Sequence, residues 1–179
     1  AGGGLVFDRG LPTSNLNNTA GGDRSNVAWA FGDGWITGDD FTVGAAGETW
    51  VVTGVRTWSV GGSPTDANAL GYEIGDRFDT VTLYGASAST NGLNVLTTGS
   101  LNADSNVNSN PNITHAPVQY VGAAHYQGSS GADIRMWQND FNNLAWVIDG
   151  GMKYNFAVDG TLRIGVIYYW FNHASNAAL

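Results

Sequence analysis

The architecture follows most clearly from WITGDDFTVGAAGETWVVTGVRTWSV, residues Trp35 to Val60. β-branched and aromatic residues dominate its two arms, Ile36 to Val43 and Thr49 to Val60, and such residues favour extended strands. The small residues Gly44 to Gly47 between the arms indicate a turn. We therefore expect a β-hairpin here, which seeds an antiparallel sheet.

The rest of the chain repeats this pattern in shorter runs. Strand-like segments such as Arg77 to Tyr84, Ile113 to Val121 and Ile134 to Phe141 are separated by turns rich in glycine and asparagine. No window of a dozen residues has the 3.6-residue apolar period of a helix. About ten short strands predict an all-β fold, an antiparallel and jelly-roll-like β-sandwich. Because similar composition continues throughout, residues 1–179 are expected to form one domain.

Two of these strands contain residues that predict a bulge or a position at the edge of a sheet. Phe78 can share a buried face with Val81 and Leu83 only if their strand contains a bulge, because side chains alternate between faces. Pro117 places its strand at a sheet edge or at a bulge, since proline donates no ladder hydrogen bond. The longest polar tract, Ser100 to Pro111, is expected to be a surface loop.

Composition limits the partners. The chain has 179 residues and a net charge of −8, with Lys153 as its only lysine. Nucleic-acid binding and attraction to anionic membranes both need positive charge, so neither is expected. No apolar run reaches the roughly 20 residues of a membrane-spanning helix. Cysteine is absent, which excludes disulfides and thiolate sites.

The sequence contains no motif of the common enzyme classes. It has no G-x-S-x-G elbow, no H-E-x-x-H pair and no phosphate-binding loop. Glycoside hydrolysis needs two carboxylates about 5 to 9 Å apart, but the only glutamates, Glu48 and Glu73, belong to a turn and a loop. A zinc site would need the fold to bring together His115, His125 and His173, which are distant in sequence. We predict a non-enzymatic protein.

Calcium binding is one interpretation of the aspartates. Calcium takes oxygen ligands from carboxylates, backbone carbonyls and amides. The candidate ligands form two groups in the sequence, Asp33, Asp39 and Asp40 in one and Asp76 and Asp79 in the other. No EF-hand loop is present, so these residues also fit solvated turns in which they cap backbone N–H groups. No cofactor is required, and Ca2+ is the one that these residues could bind.

Carbohydrate binding is the alternative function, with calcium as an aid. Aromatic rings stack on the apolar faces of sugars, while asparagine side chains bind the hydroxyl groups. Aromatic residues of a β-sandwich also fill its core, so each ring has two interpretations. The predicted ligand is an extracellular polysaccharide, and the candidate rings are Trp35, Trp58, Tyr84, Tyr126, Tyr168, Tyr169 and Trp170.

The order GDDFTV, a turn and VVTGVRTW resembles the β-sandwich modules of secreted bacterial PEP-CTERM proteins, which an exosortase sorts to the cell surface. The later runs WQNDFNNLAWVIDGGMKYNFAV and WFNHASNAAL are similar to the same group. The resemblance implies a jelly-roll-like sandwich, an extracellular or cell-surface location, and no catalytic residues. It also implies a further strand and a sorting tail after Leu179, so we expect that such a tail was removed by processing or truncation.

The two ends of the chain suggest self-association. Leu162 to Phe171 is apolar on both faces after Arg163, so it is either a central strand under a loop or a face that a partner covers. Residues 1–7 are interpreted as a flexible arm that could add a strand to a neighbour's open sheet edge. We predict an extracellular structural protein that assembles with copies of itself into a filament or matrix, through Leu5, Val6, Phe7, Ile167, Tyr169 and Phe171.

Overall fold

The chain folds into β-strands, as the sequence predicts. The computed structural model describes residues 4–8, 27–30, 37–62, 72–89, 92–118, 126–127, 133–134, 136–163 and 169–178. These residues contain one 3-10 helix (Ile74–Asp76), no α-helix, and no helix long and apolar enough to cross a membrane. Their strands are β1 (Leu5–Asp8), β2 (Val27–Ala30), β3 (Thr37–Thr42), β4 (Thr49–Val52), β5 (Gly54–Gly62), β6 (Phe78–Ser87), β7 (Asn94–Ser100), β8 (Ile113–Pro117), β9 (Tyr126–Gln127), β10 (Asp133–Ile134), β11 (Met136–Phe141), β12 (Trp146–Asp149), β13 (Lys153–Leu162) and β14 (Tyr169–Ala178).

Most strands belong to two antiparallel sheets. The first sheet has the hydrogen-bonded order β1-β14-β5-β11-β8, with β2 also paired to β14. The second sheet has the order β3-β13-β6-β7, while β4 pairs with β12 in a separate ribbon and β9 pairs with β10. The chain passes repeatedly from one sheet to the other, and its first and last strands lie side by side. The predicted all-β fold class, built from antiparallel sheets, is confirmed.

The hairpin predicted from Trp35 to Val60 does not form. Both arms are extended and a turn separates them, but β3 pairs with β13, while β5 pairs with β11 and β14. The second arm is interrupted at Thr53, whose carbonyl accepts a hydrogen bond from the Leu144 N–H (2.9 Å), and its first part pairs with β12. The two arms therefore belong to different sheets and contribute to the core from opposite sides.

One hydrophobic cluster takes side chains from both sheets, which is the layered arrangement expected of a β-sandwich. The rings of Phe41 and Phe156 lie 5.9 Å apart, and Phe41 also contacts Trp146 at 5.5 Å. Such separations suit aromatic pairs. The first sheet contributes Val55, Ile113, Trp137 and Phe141, and the second contributes Phe41, Phe78, Val81, Leu83, Tyr154, Phe156 and Val158.

Two local predictions are confirmed. Phe78, Val81 and Leu83 are all buried, and the register between β6 and β13 shifts next to Phe78, which is the irregularity that their spacing requires. Pro117 ends β8, which lies at one end of the first sheet.

Both ends of the chain contribute strands to the first sheet. Leu5 to Phe7, predicted to be a free arm, lie in β1 and pair with β14 of the same chain. The prediction of one strand from Leu162 to Phe171 is wrong, because β13 continues to Leu162 along its ladder with β6 and β14 begins at Tyr169. β14 is hydrogen-bonded on both sides, by β1 and β2 on one and by β5 on the other, so it is a central strand.

The ribbon of β4 and β12 covers one end of the core. Its inner face carries Val52 and Ile148, which are buried, and its outer face carries Val51 and Val147, which pair with each other and are exposed. Adjacent valines of one strand therefore have opposite environments, as alternation along a strand requires.

This alternation predicts a large difference between two identical substitutions. Val52 is 0% exposed and Val51 is 44% exposed. We expect Val52→Ala to lower the free energy of unfolding by about 2 kcal/mol, because it removes buried methyl groups and leaves a cavity. Val51→Ala should change it by less than about 0.5 kcal/mol. Urea unfolding measures both, and equal losses would contradict the orientation of the ribbon.

Candidate functional site

The predicted assembly residues lie along β1 and β14. Leu5 is 55% exposed, whereas Phe7 is partly buried and its ring lies 5.9 Å from that of Phe41 and 6.1 Å from that of Phe156. Phe7 therefore anchors β1 to the core. The remaining predicted residues are Val6 in β1 and Tyr169 and Phe171 in β14, while Ile167 is outside the described residues.

β1 is attached to the fold by a short ladder. Only three residue pairs join it to β14, from Leu5 with Ala178 to Asp8 with Asn176, and the register is irregular between Leu5 and Phe7. β2 pairs with another part of the same β14 edge, and 18 residues (9–26) connect β1 to β2. A terminal strand of this kind has few hydrogen bonds to lose when it leaves the sheet.

The aromatic residues predicted to bind sugar lie in several strands, of which β5 with Trp58 and β14 with Tyr169 and Trp170 are neighbours. Trp58 is only 2% exposed, so its ring presents no open face to a sugar in this structure. Tyr126 lies in β9, and Tyr169 and Trp170 lie in β14. Trp35 and Tyr168 are outside the described residues.

A solvent-open pocket of about 460 Å³ lies between β3, β13 and the connection from β6 to β7. Asp40 and Asn155 are cross-strand partners and so lie on one face of the second sheet. Asp40 also forms an ion pair with Lys153, with 2.6 Å between Oδ2 and Nζ. The partly exposed Tyr84 pairs with Ala157, which places it beside the floor of the pocket. The lining residues are Gly38, Asp39, Asp40, Gly92, Leu93, Asn155, Phe156 and Ala157.

The floor of this pocket depends on a glycine. A Cβ atom added to Gly38 would lie 2.0 Å from the carbonyl oxygen of Phe156 and 2.9 Å from the Cβ of Ala157. Real Cβ atoms do not approach so closely, so only glycine lets the backbones of β3 and β13 meet here. The sequence signal for this feature is the glycine inside the strand TGDDFT.

The second predicted calcium group is occupied by hydrogen bonds within the chain. Asp76 accepts the N–H of Asp104 at 2.8 Å and the N–H of Glu73 at 2.9 Å, one on each carboxylate oxygen. Asp79 forms an ion pair with Arg163, whose Nε also donates to the carbonyl of Gly75. These carboxylates therefore hold the 3-10 helix and its neighbouring loop in place.

The first predicted calcium group is only partly described. Asp39 accepts the N–H of Asp40, Asp40 binds Lys153, and Asp33 is outside the described residues. Within the part of the chain that the structure describes, no three histidine or acidic side chains are grouped so that they could hold a metal ion.

Charged side chains on the outer faces of the sheets form ion pairs or have shifted pKa values. Arg56 binds Asp140 through two hydrogen bonds of 2.5 and 3.0 Å, and these raise the pKa of Arg56. Gln138 donates to the same carboxylate. Partial burial raises the pKa of Asp159, although the N–H of Gly160 partly opposes this by bonding the charged form.

A buried polar network lies on the inner face of the first sheet, where sequence reasoning expected an apolar core. His115 Nδ1 lies 2.7 Å from Asn139 Oδ1, and Asn139 Nδ2 donates to Ser59 Oγ at 2.7 Å. His115 Nε2 lies 3.1 Å from Asn108 Nδ2. Burial lowers the pKa of His115, so the ring is neutral at neutral pH. The available signal was the alternation of ITHAP, which puts His115 on the same face as Ile113.

Comparisons with known proteins give no independent assignment. No model of a protein family, no curated protein and no solved structure matches this chain. The function must therefore be inferred from the contacts of the chain's own residues.

The bonds of Asp76 lead to a prediction about calcium. We expect Asp76→Asn to destabilise the fold by about 2 kcal/mol, because a charged acceptor of two backbone N–H groups is lost. The loss should be equal in calcium chloride and in EDTA. Asp104→Asn is the matched control, since the link between these residues uses only the backbone N–H of Asp104. Calcium-dependent stability that disappears in Asp76→Asn would contradict this assignment.

Proposed function

We propose that the protein is a non-enzymatic, extracellular structural subunit that assembles with copies of itself by exchanging β1 between neighbouring chains. The short attachment of β1 to β14 carries the proposal. In an exchanged assembly, β1 of one copy would occupy the same edge of β14 in the next copy, and Phe7 would fill the same site against Phe41 and Phe156. The contacts between β1 and the sheet that accepts it are then the same as in the single chain, so the exchange costs little free energy.

The length of the connection between β1 and β2 supports this exchange. An extended chain covers about 3.4 Å per residue, so residues 9–26 could span up to about 60 Å. That reach is more than one β1 strand needs to enter the sheet of an adjacent copy. Because each copy both donates and accepts a strand, the contact is head-to-tail and can continue into a filament.

Composition and family resemblance support the extracellular location. The chain has few charged residues, abundant glycine and no cysteine. Its short motifs resemble the secreted bacterial PEP-CTERM group, whose members are sorted to the cell surface. The lack of common catalytic motifs in the sequence supports a structural role rather than an enzymatic one.

Cysteine substitution tests the exchange directly, because the native chain contains no cysteine. Leu5 and Ala178 are paired residues of β1 and β14, and paired residues of adjacent strands lie within disulfide reach. We expect a mixture of Leu5→Cys and Ala178→Cys copies, incubated near pH 7.5 and oxidised, to form disulfides between different chains. Non-reducing electrophoresis of the mixture measures the crosslinked dimer.

Matched substitutions on β1 serve as controls. Phe7→Ala, added to the Leu5→Cys copy, should reduce crosslinking, and alone it should reduce assembly, because it removes the ring that anchors the strand in the acceptor. Leu5→Ala, at an exposed position, should leave assembly unchanged. Deletion of residues 1–8 should abolish assembly. If crosslinks form only within the Leu5→Cys, Ala178→Cys double variant and never between singly substituted copies, β1 is not exchanged.

The pocket beside Tyr84 favours carbohydrate binding as a second candidate function. Its volume is within the range of small-molecule sites. Asp40 and Asn155 offer oxygen and amide groups for sugar hydroxyls, Leu93 offers an apolar wall, and the ring of Tyr84 lies next to the floor. Given the net charge of −8, a neutral extracellular polysaccharide is a better ligand than an acidic one. Calcium could assist through Asp39 and Asp40, which line the pocket.

A binding assay with neutral oligosaccharides tests this second candidate. We expect Asn155→Ala to weaken binding at least about tenfold, since a buried hydrogen bond to the ligand is lost. Asn142→Ala, in an exposed turn away from the pocket, should bind like the native protein. Calorimetry in calcium and in EDTA measures both the affinity and any calcium contribution. Equal binding by the two variants would remove the pocket from consideration.

A further inference from the structure

The edges of the two sheets differ in charge. The edge formed by β1 and β2 carries Asp8, and β3 carries Asp39 and Asp40. The opposite edges, β7 (NVLTTGS) and β8 (ITHAP), carry no charged residue. Charges on an edge strand discourage pairing with another chain, so β7 and β8 require a different form of protection.

Residues 107–112, which we call the covering segment, provide that protection. Ser109 donates its N–H to the carbonyl of Ser100 and accepts the Ser100 N–H on Oγ, both at 2.9 Å. Asn110 Nδ2 donates to the carbonyl of Thr98 at 3.1 Å, and Val107 forms a bridge with Thr114 of β8. The covering segment therefore occupies three backbone groups on the outer edge of β7 and also pairs with β8.

Asn108 fixes the covering segment to both strands. Its side chain is buried, and its Oδ1 accepts the N–H of Asn110 at 2.9 Å. It lies directly against β7, because a Cβ atom on Gly99 would be 1.7 Å from Asn108 Oδ1. Its Nδ2 faces His115 Nε2 on β8. Protonation of His115 would therefore act directly on Asn108, whose side chain joins the covering segment to both strands.

The hydrogen bonds around His115 require its neutral form. Asn139 Nδ2 donates to Ser59, so Asn139 Oδ1 faces His115 and must accept from Nδ1–H. His115 Nε2 then accepts from Asn108 Nδ2. A proton on Nε2 would place two donors against each other, and rotating the Asn108 amide would break its bond to Asn110.

The surroundings of His115 define the pH range. The charged groups on the packed strands β5 and β11 are Arg56 and Asp140, which bind each other. β7, β8 and the covering segment have none, and Asp104, which precedes this segment, donates its N–H to Asp76. Burial lowers the pKa of His115 while the covering segment is in place, and the hydrogen bond to Asn139 and then the Asp140 charge oppose this shift. Attachment of the segment is therefore strongest above the ordinary histidine pKa of about 6.5. Below that pH, the equilibrium constant for attachment falls about tenfold per pH unit, until the pH reaches the lowered pKa.

We propose that protonation of His115 releases the covering segment and uncovers β7, which then pairs antiparallel with β7 of a second copy. An uncharged strand can meet its own copy about a two-fold axis without repulsion. Val95, in the half of β7 that the covering segment does not reach, is 57% exposed. The groups released at Thr98 and Ser100 are those that an incoming strand would bond. This contact is separate from the exchange of β1.

Hydrogen exchange and sedimentation test the proposal at pH 7.5 and pH 5. The amide of Ser109 should lose protection at pH 5 relative to the amide of Phe156 in β13, and a dimer should form. His115→Gln, which cannot titrate, should show neither change, whereas His173→Gln should show both. Gly99→Ala, which displaces Asn108, should open the segment at pH 7.5 as well. Unchanged Ser109 protection, or full pH dependence in His115→Gln, would overturn the role of His115.

Two variants test the surface itself. Val95→Lys should open at pH 5 but remain monomeric, because a charge on an edge strand discourages pairing with another chain. The oxidised Leu5→Cys, Ala178→Cys double variant, in which β1 is locked within its own chain, should still dimerise at pH 5. Opening without dimerisation, or dimerisation that Val95→Lys does not affect, would overturn the β7 contact. Either result leaves the exchange of β1, tested at pH 7.5, unaffected.

Discussion

The ring contacts that Phe41 and Phe156 make with Phe7 and Trp146 connect the separately hydrogen-bonded parts of this fold. Phe41 belongs to β3 and Phe156 to β13, and both also touch Phe7 of the first sheet. Phe41 reaches Trp146 of the ribbon as well. The chain contains no cysteine, so disulfides cannot hold these layers together. Burial of a few large rings must do so, and it is the dominant favourable term available.

Local patterns predicted the elements of this fold well and their partners poorly. Alternation and turn residues are properties of neighbouring positions, so the strands, the bulge beside Phe78 and the edge position of Pro117 could be predicted. Pairing depends on what the whole chain can bury. Phe41 pairs with Tyr154, far along the chain, while the neighbouring arm crosses to the other sheet. Nothing in the stretch from Trp35 to Val60 indicates that its two arms pair with distant strands, so the predicted hairpin was wrong.

The candidate sites were harder to predict for a related reason. The sequence does not distinguish Trp58 from a surface tryptophan, and only tertiary packing buries its side chain. The aspartates next to turns bind backbone N–H groups and arginine, as Asp76 and Asp79 do here. The asparagine-rich tract before β8 looked like a solvated loop, yet Asn108 is buried against His115. Composition describes what a side chain can bond, and the fold determines which partner it finds.

The ion pair of Lys153 with Asp40 has a practical consequence. Lys153 is the only lysine of the chain, and its partner Asp40 lines the pocket beside Tyr84. An amine-reactive dye would therefore label no other side chain, and it would sit at the mouth of that pocket. Its emission could report occupancy by a sugar without any engineered attachment point, and the loss of the ammonium charge would itself alter the electrostatics around Asp40.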